Sequence, residues 1–389
     1  ACFLESPSTL GCPAYGYGLR YEHGLFRQSF KDGRQIEAPE TWLLQQHAWE
    51  FERPEARFRL GFGGTVDVKG ETATWSPTEF VEAEAYDTPI VGWKGRWANT
   101  LRLWSAKAVD PFDLDSFNRG DFAGAAEPEA LARTISRVLY PDDTTGPGKE
   151  LRLKQEYFLT ASALRDILRR FDSEYDDLGL LPSKVAIQLN DTHPAIAGPE
   201  LVRLLLDERG MGFEDAMATA QACLSYTNHT LLPEALESWP IPVFERLLPR
   251  HMQIIYAINA EVLLEARSYQ RYSDEQISRI SLINEGAERR VRMGNLAFAG
   301  SHSVNGVSGL HTELMKETVF SDLHNLYPGR INNKTNGVTP RRWLQQCNPG
   351  LTDVLKEAIG DGFLDDAQLL PRMLGVDFVE PFARGNDLA

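Results

Sequence analysis

The segment from Lys184 to Pro240 constrains the fold more than any other part of the chain, because it contains one strand–loop–helix pattern twice. Two short apolar runs, Val185–Leu189 and Ala222–Tyr226, have the length and composition of buried strands. Each run ends in a polar loop that leads through a proline, Pro194 or Pro233, into a predicted helix. A repeated β-loop-helix unit predicts an α/β fold with a parallel sheet.

Both polar loops of this segment carry a histidine. They are Asn190–His193, with the sequence NDTH, and Thr227–Thr230, with the sequence TNHT. Loops that follow parallel strands lie along one edge of the sheet, where open α/β folds bind ligands. A histidine or asparagine in such a loop can also serve only the backbone, as a cap or turn residue. The matching positions of the two loops favour a binding site.

The pattern of a strand followed by a polar loop and a helix recurs closer to the end of the chain. A predicted strand at Leu296–Ala299 leads into the polar run Ser301–Val307, and a fourth extended segment ends at Asn336-Gly337, before a helix predicted from Pro340. Four loops rich in Asn, His, Thr and Gly form a neutral hydrogen-bonding surface. Such a surface suits an uncharged polyhydroxylated ligand, and a sugar is the natural candidate.

Residues 57–105 differ from this alternating pattern. They alternate polar with apolar residues and are interrupted by glycines, which predicts an antiparallel β region inserted in the α/β chain. Six tryptophans lie in or beside it: Trp42, Trp49, Trp75, Trp93, Trp97 and Trp104. Aromatic rings can stack on sugars, but tryptophan in a strand more commonly belongs to the core.

A loop rich in glycine and proline, Tyr140–Gly148, precedes a long helix predicted over Lys149–Phe171. A loop of this kind in front of a stiff helix is a candidate for a mobile gate. Further helices are predicted at Glu200–Glu208, Phe213–Ala222, Val243–Leu248, Met252–Ala266 and Asp274–Ile283.

Composition excludes several classes of protein. The 389 residues carry a formal net charge of −15, which argues against a nucleic-acid partner. No apolar run is long enough to cross a membrane, and no secretory signal opens the chain. The four cysteines fit neither a metal site nor a disulfide framework, so we expect reduced thiols and a cytoplasmic location. Because the chain begins mid-pattern without methionine, we expect it to be cut from a longer protein.

The sequence lacks the residue patterns that three familiar kinds of catalytic site require. A glycosidase needs two carboxylates that flank the scissile bond, and only Asp191 and Asp143 stand out. Asp191, His193 and His229 could bind zinc, but their spacing matches no zinc motif, and we expect no metal. The run Gly300–Ser303 is not a nucleophile elbow. The chain therefore looks like the sugar-holding half of a site whose acid–base group is elsewhere.

Long stretches of the sequence resemble the α-glucan phosphorylases, the family of glycogen, starch and maltodextrin phosphorylases. The resemblance extends from Ala1 to about Asp366, and the tail from Met373 departs from it. Among the motifs that carry it are ACFLESPSTLGCPAYGYGLRYEHGLF, GKELRLKQEYF, KVAIQLNDTHPAI, YTNHTLLPEALESWP, GSHSVNGVSGLHTE and NKTNGVTPRRWLQQCNPGL.

The resemblance implies a GT-B fold of two Rossmann-like domains. Residues 1–336 would form the N-terminal glucan-binding domain, lacking its first segment but containing the β insertion, and 337–389 would form a linker and the truncated start of the C-terminal cofactor domain. The implied reaction is phosphorolysis of a terminal α-1,4-linked glucose of glycogen or maltodextrin by inorganic phosphate, which gives glucose 1-phosphate with retention. The implied cofactor is pyridoxal 5′-phosphate, whose phosphate exchanges a proton with the substrate phosphate, and the implied assembly is a homodimer.

The resemblance also implies roles for single residues. His229 and Asn336 would hold the 6-hydroxyl of the glucosyl unit, and the backbone carbonyl of His229 would face the positive charge that develops at the anomeric carbon. Val307 would pack near the same sugar. Asp191 and His193 would line the cleft toward the acceptor glucose.

Two further roles concern the gate and the cofactor. Asp143 and Thr144 would belong to the gate loop, where Thr144-Thr145 replaces the asparagine and aromatic residue of the regulated animal enzymes, so animal-style gate control is not implied. Trp343 would lie near the cofactor ring. The family's Schiff-base lysine motif is absent, so we do not expect the cofactor to bind covalently to this chain.

Two other functions are compatible with the sequence. One is a nucleotide-sugar glycosyltransferase of the same two-domain architecture, which binding of UDP- or ADP-glucose would indicate. The other is a non-catalytic glucan-binding fragment, in which Tyr256 and the aromatic residues of 57–105 contact the glucan.

Overall fold

A computed structural model describes residues 2–45, 47–70, 72–232 and 236–375, and the chain divides into two compact units. The larger unit comprises Ala14–Ile90 and Asn99–Thr335. The smaller unit is assembled from Ala1–Pro13, Val91–Ala98 and Asn336–Ala389. The predicted domain boundary at 336/337 concerns the two-domain architecture of the family and stays a prediction.

Strands and helices are numbered in chain order. The strands are β1 (Tyr15–Leu19), β2 (Phe26–Lys31), β3 (Arg34–Pro39), β4 (Phe51–Phe62), β5 (Thr65–Lys69), β6 (Thr72–Ser76), β7 (Glu79–Val91), β8 (Ala98–Ala108), β9 (Ile187–Asn190), β10 (Leu224–Thr227), β11 (Ser238–Pro240), β12 (Ile283–Asn284), β13 (Arg290–Arg292), β14 (Ser303–Gly306) and β15 (Ile331–Asn333). The helices are α1 (Cys2–Leu10), α2 (Leu114–Asn118), α3 (Phe122–Thr134), α4 (Gly146–Asp172), α5 (Leu181–Lys184), α6 (Ala197–Arg203), α7 (Phe213–Cys223), α8 (Ile241–Leu247), α9 (Pro249–Ser268), α10 (Asp274–Ile280), α11 (Met293–Ala299), α12 (Gly309–Glu317), α13 (Ser321–Leu326) and α14 (Pro349–Ile359).

A four-stranded parallel sheet in the order β15-β14-β10-β9 organises the larger unit. Each strand contributes apolar or aromatic residues to the core: Leu189 from β9, Leu224 and Tyr226 from β10, Val304 from β14 and Ile331 from β15. Helices connect successive strands, as parallel pairing requires. The predicted α/β class and the strands at Val185–Leu189 and Ala222–Tyr226 are therefore confirmed to within about two residues, whereas the GT-B arrangement stays a proposal.

Of two elements predicted next to this sheet, the structure contradicts one and does not describe the start of the other. The strand predicted at Leu296–Ala299 is wrong, because these residues lie in helix α11, and strand β14 begins only at Ser303. A short, fully buried apolar run is ambiguous between helix and strand, and here the helix is buried almost throughout. The helix predicted to start at Pro233 falls outside the described residues, and the next described element is strand β11.

A second sheet, in the order β1-β8-β7-β4, contains the predicted β insertion. Strands β4 and β7 pair antiparallel as expected, and β5 and β6 form a hairpin. Strand β8 also pairs in parallel with β1, which lies outside the predicted insertion. The β region begins at Phe51 rather than at residue 57, because β4 pairs with β7 as far as Phe51 opposite Asp87. The pairing of β8 with Tyr15–Leu19 is long-range, and local alternation cannot reveal it.

The tryptophans of this region divide between core and surface. The Trp104 side chain is completely buried, and the half-buried Trp75 donates its indole N–H to the carbonyl of Gly63 at 2.7 Å, so both have core roles. Trp49 is 66% exposed and Trp42 is 37% exposed. These two side chains therefore do not have the core position that is more common for tryptophan.

An ion-pair network joins this second sheet to helix α4. Arg102 of β8 binds Asp87 of β7 at 2.7 Å and Asp166 of α4 at 2.7 Å. Asp166 is fully buried and also accepts hydrogen bonds from the Tyr17 hydroxyl at 2.7 Å and from Arg169 at 2.8 Å. The charge of Asp166 is therefore compensated by two cations and a phenol, as a buried carboxylate requires.

Removal of the Tyr17 hydroxyl is expected to destabilise the fold. Tyr17→Phe leaves Asp166 buried with one donor fewer, and hydrogen bonds to charged groups contribute about 1.5–3 kcal/mol to stability. Urea unfolding measures this loss, and Tyr15→Phe in the same strand, on a more exposed ring, is the control. Equal unfolding free energies for the two variants would contradict the assigned role of Tyr17.

A fully buried cluster of charged and polar groups stands between α6 and α9. Glu200 accepts hydrogen bonds from Arg203 at 2.7 and 2.9 Å and pairs with His251 Nε2 at 2.6 Å. Glu200 and His251 are 0% exposed, and the Arg203 guanidinium also reaches Glu208 at 3.0 Å. The Trp75 and Tyr157 rings pack edge-on against His251.

The smaller unit has its own small core of Leu355, Phe363 and Leu364. Arg341 pairs with Glu5 at 2.9 Å, and the Trp93 indole donates to Asp365 at 2.6 Å. Helix α1 ends at Leu10, and Gly11 follows with a φ of +68°, which is typical of a residue after a helix C-terminus.

Candidate functional site

The loops after β9 and β10 meet at the carboxyl edge of the parallel sheet. His229 Nε2 lies 2.5 Å from Asn190 Oδ1, so residues from the two polar loops are in direct contact. The atom that faces Nε2 is an amide oxygen, which makes Nε2 the protonated nitrogen and leaves Nδ1 as an acceptor. Both side chains are exposed, so His229 can offer Nδ1 to a hydroxyl group of a ligand.

A second histidine contact lies on the buried side of the same edge. His311 Nε2 is 2.9 Å from Asn228 Oδ1, and Asn228 donates its amide N–H to the Tyr226 hydroxyl at 3.0 Å. Burial lowers the pKa of His311, the hydrogen bond to Asn228 opposes this effect, and nearby His229 lowers the pKa further. A neutral His311 holds Asn228 and so fixes the backbone that carries His229.

Asp191 has a left-handed backbone conformation, with φ at +67°. Its backbone N–H donates to the carbonyl of Thr227 at 3.0 Å, and its carboxylate accepts from the backbone N–H of Thr192 at 2.7 Å. Positive φ is uncommon outside glycine, is best tolerated by Asp and Asn, and concentrates at functional sites. The turn directs the chain from strand β9 into the His193 segment.

His193 is held beside an acidic and an aromatic residue. Its Nε2 atom lies 3.8 Å from Glu237 Oε1, and its ring centroid lies 5.6 Å from that of Tyr140. The Thr192 hydroxyl donates to Glu237 Oε2 at 3.0 Å. Glu237 therefore holds two consecutive residues of the loop after β9.

Arg152 of helix α4 connects this loop to the candidate gate. It pairs with Glu237 at 2.6 Å, lies 3.7 Å from Asp143 and has its guanidinium carbon 5.2 Å from the centre of the Tyr140 ring. Burial raises the pKa of Tyr140, with Arg152 opposing and Glu237 adding to the effect. Tyr140 also has a positive φ, +51°, so a second non-glycine residue of this site is strained.

The candidate gate is shorter than predicted. Helix α4 begins at Gly146 rather than Lys149, because Thr145 caps it by accepting from the backbone N–H of Gly148 at 3.2 Å and a proline follows at its start. A Cβ atom at Gly148 would lie 1.9 Å from the carbonyl oxygen of Asp142, so glycine is required for the close approach of the loop to the helix. The loop character of 140–145 is confirmed, and its mobility stays a prediction.

The other predicted site residues lie around or apart from this cluster. Thr144 is exposed and donates its backbone N–H to Asp142 at 2.9 Å, and Val307 is half-buried directly after strand β14. Asn336 and Trp343 belong to the smaller unit, where both side chains are exposed. Their assignment to the sugar and to the cofactor stays a prediction.

Three residues of the cluster were missed from the sequence. Arg152, Glu237 and His311 were not singled out, although Arg152 interrupts the apolar face of the long helix. Glu237 directly precedes strand β11 and points toward residues 85 positions away along the chain. No local pattern marks such a contact.

The chemistry of this edge is that of hydrogen bonding to neutral groups. Amides, hydroxyls and histidines predominate along it, and the guanidinium of Arg152 is paired with carboxylates. The ranges that the structure describes contain no group of three His, Cys, Asp or Glu side chains arranged to bind a metal ion. No helix within the described residues is long and apolar enough to cross a bilayer.

The lysines of the chain do not fit covalent attachment of an aldehyde cofactor. A Schiff-base lysine needs a desolvated pocket that lowers the pKa of its amine. Every lysine in the described ranges is half-buried or exposed, and the least exposed of the ion-paired lysines, Lys154, pairs with both Glu79 and Glu150.

Comparison with known proteins shows which family this sequence matches. Residues 1–380 match the profile of a family described as carbohydrate phosphorylase. The chain is 47% identical over 392 aligned positions to the muscle form of glycogen phosphorylase from Ovis aries and to that from Homo sapiens, and the brain form from Mus musculus is equally similar. These alignments cover 99% of this chain and 46–47% of each relative, so the chain spans about half the length of the curated relatives it matches.

Proposed function

Because this chain belongs to the carbohydrate phosphorylase family, we propose that it supplies the glucan-binding half of an α-1,4-glucan phosphorylase. The observation that carries the proposal is the 47% identity to glycogen phosphorylases over nearly the whole chain. The reaction is phosphorolysis of the terminal glucose of glycogen or maltodextrin by inorganic phosphate, with retention. The GT-B architecture, with residues 1–336 as the glucan-binding domain, belongs to the same proposal.

Within this function, the carboxyl edge of the parallel sheet binds the glucan. His229 holds the 6-hydroxyl of the terminal glucose through Nδ1, because Nε2 is engaged by Asn190. Asp191 and His193 line the path of the acceptor glucose, and Val307 packs near the terminal sugar. Neutral amides and hydroxyls suit sugar hydroxyls, and histidine and aspartate supply both donors and acceptors.

The remaining assignments are proposed on family membership. Asn336 shares the 6-hydroxyl with His229, Trp343 lies near the ring of pyridoxal 5′-phosphate, and Asp143 with Thr144 forms part of a gate. The cofactor and the phosphate-binding groups belong to the half of the relatives' length that this chain does not match. The intact enzyme is proposed to be a homodimer, and the four free cysteines support a reducing, cytoplasmic location.

The purified 389-residue chain is expected to bind maltoheptaose weakly but to release no glucose 1-phosphate. Incubation with pyridoxal 5′-phosphate followed by borohydride reduction should give no stoichiometric lysine adduct, because none of the described lysines is buried. Calorimetry measures the binding, and mass spectrometry measures the adduct. UDP-glucose and ADP-glucose are the control ligands, since a nucleotide-sugar transferase would bind one of them.

The results of these binding and labelling experiments lead to different conclusions about the function of the chain. Saturable binding of maltoheptaose without binding of nucleotide sugars supports the proposal. One labelled lysine together with phosphorolysis would show that this chain alone carries the complete site, and the assignment to a glucan-binding half would be wrong. Failure to bind any glucan at millimolar concentration would remove the proposed role of the sheet edge.

A further inference from the structure

A buried carboxyl group next to the candidate site lacks a donor for one of its oxygens. Glu156, on helix α4, is 5% exposed, and its Oε2 accepts from the Trp239 indole at 3.2 Å. Its other oxygen, Oε1, is buried and has no hydrogen-bond donor among the described residues. An ionised carboxylate with an unsatisfied oxygen in such a place is strongly unfavourable, so this oxygen calls for a proton or another donor.

A second carboxyl group lies on the unsatisfied side of Glu156. Nη2 of Arg152 is 2.6 Å from Glu237 Oε1 and 3.9 Å from Glu156 Oε1, so both oxygens lie near one guanidinium nitrogen. Arg152 also lies 3.7 Å from Asp143. One cation therefore faces three carboxyl groups, and full ionisation would leave the cluster with a net negative charge.

We propose that Glu156 and Glu237 share one proton, which Glu156 Oε1 carries and donates to Glu237 Oε1, and that the singly charged pair positions Thr192 and His193 at the sheet edge. The proton satisfies the one oxygen of Glu156 that has no donor. Glu237 keeps its charge, which Arg152 balances, and its Oε2 remains free to accept from Thr192. The proposed glucan enters only as the ligand that this edge binds, and the tests below use no ligand.

Electrostatics of the surroundings support a shared proton. Burial and then Glu237 raise the pKa of Glu156 well above the ordinary value, and Arg152 only partly opposes them. Two carboxyl groups in one site commonly keep one proton between them. Tyr140 and Tyr21 also face Arg152 and Glu156, and burial raises the pKa of Tyr21 to about 12, so this phenol stays neutral.

Loss of the shared proton should change how firmly the loop after β9 is held. Glu237 accepts the Thr192 hydroxyl and lies 3.8 Å from His193, while Arg152 reaches Asp143. Loss of the shared proton places a second negative charge beside Glu237 and draws Arg152 toward Glu156. We expect the loop segment 190–195 to open more often once the proton is lost.

The sign of the pH effect follows from the direction of the pKa shift. A carboxyl group whose pKa is raised by folding stabilises the folded state below the unfolded value of about 4.5. This contribution is lost as pH rises from there through the pKa of the folded pair. Each pH unit in that window changes the ratio of folded to unfolded protein tenfold relative to a variant that cannot ionise.

Glu156→Gln is the first test, because glutamine is neutral and can donate an amide N–H to Glu237. Infrared difference spectroscopy at pH 7 should show a protonated carboxyl band in the wild-type chain that Glu156→Gln lacks. Between pH 5 and 9, hydrogen exchange of the peptide covering 190–195, corrected for intrinsic rates, should accelerate at least tenfold in the wild type and by less than twofold in Glu156→Gln. Glu150→Gln, on the same helix but paired with Arg246 at the surface, is the matched control and should behave as the wild type.

Glu237→Gln tests the proposal from the other partner. It removes the carboxyl group with which Glu156 shares the proton and leaves Glu156 and Asp143 facing Arg152, so Glu156 should ionise and the protonated band should disappear at pH 7. An unchanged band in both variants, or parallel exchange profiles for the wild type and Glu156→Gln, would overturn the proposal. These results are independent of glucan binding, so they distinguish a failure of the shared proton from a failure of the proposed function.

Discussion

Glu200→Ala is expected to lower the free energy of unfolding by about 3–5 kcal/mol. The substitution leaves the buried Arg203 guanidinium with Glu208 as its remaining carboxylate partner among the described residues, beside the Trp75 ring, and it removes the acceptor of His251. Loss of one member of a buried ion pair is costly because the remaining charge stays desolvated. Urea denaturation followed by circular dichroism measures the change.

Its control is Glu285→Ala, which removes an exposed pair with Arg289 and is expected to cost less than about 0.5 kcal/mol. Burial raises the pKa of Glu200, but Arg203 and His251 outweigh it and hold the pKa below the ordinary value. Burial lowers the pKa of His251, although the hydrogen bond to Glu200 opposes this. Both groups therefore stabilise the fold above their unfolded pKa values.

This contribution should disappear on acidification, beginning below about pH 6.5 for His251 and below about pH 4.5 for Glu200. The wild type should lose stability through this range. Glu200→Ala should lack the part of the loss that begins below about pH 4.5 but keep the part due to His251, which remains buried. Similar costs for Glu200→Ala and Glu285→Ala would show that the buried cluster is not an energetic centre of the fold.

His229→Ala is expected to reduce turnover at least tenfold in an active enzyme that contains this segment, which corresponds to about 1.4 kcal/mol or more of barrier. The side chain is exposed at the sheet edge and Nε2 is engaged by Asn190, which leaves Nδ1 to accept from the 6-hydroxyl that we propose His229 holds. The measurement is kcat with saturating maltodextrin and phosphate.

His302→Ala is the matched control, because His302 is also an exposed histidine but precedes strand β14 and so lies toward the opposite edge of the sheet. It should change kcat by less than twofold. A correctly folded His229→Ala enzyme with wild-type kcat would remove His229 from the site.

The sheet and its functional edge could be predicted because their signals are local. Strands β9 and β10 each lie in a short apolar run that a polar loop follows, and parallel pairing brings those two loops together. This logic predicts that the loops carrying Asn190 and His229 lie at one edge of the sheet, and the structure adds the contact between the two side chains. The roles of individual residues came from resemblance to a family, since no spacing in the sequence identifies the atom that holds a sugar hydroxyl.

The rest depends on contacts that no local pattern encodes. Arg152 and Glu237 are 85 positions apart, and their pairing requires the long helix to lie against the segment before β11. The run Leu296–Ala299 was assigned to a strand because periodicity cannot separate a short buried helix from a buried strand. Parallel pairing of β8 with β1 likewise depends on the fold as a whole.

The smaller unit is built from three separate segments, and this has a consequence for synthesis on the ribosome. Its ion pair between Glu5 and Arg341 joins residues 336 positions apart, and its bond between Trp93 and Asp365 spans 272 positions. At about 5–20 residues per second, Glu5 is translated roughly 20–70 seconds before its partner exists. Helix α1 can contact the Trp93 segment early, through the bond from the Trp93 backbone N–H to the Thr9 hydroxyl, but it lacks Arg341 until the residues of the larger unit have all been translated.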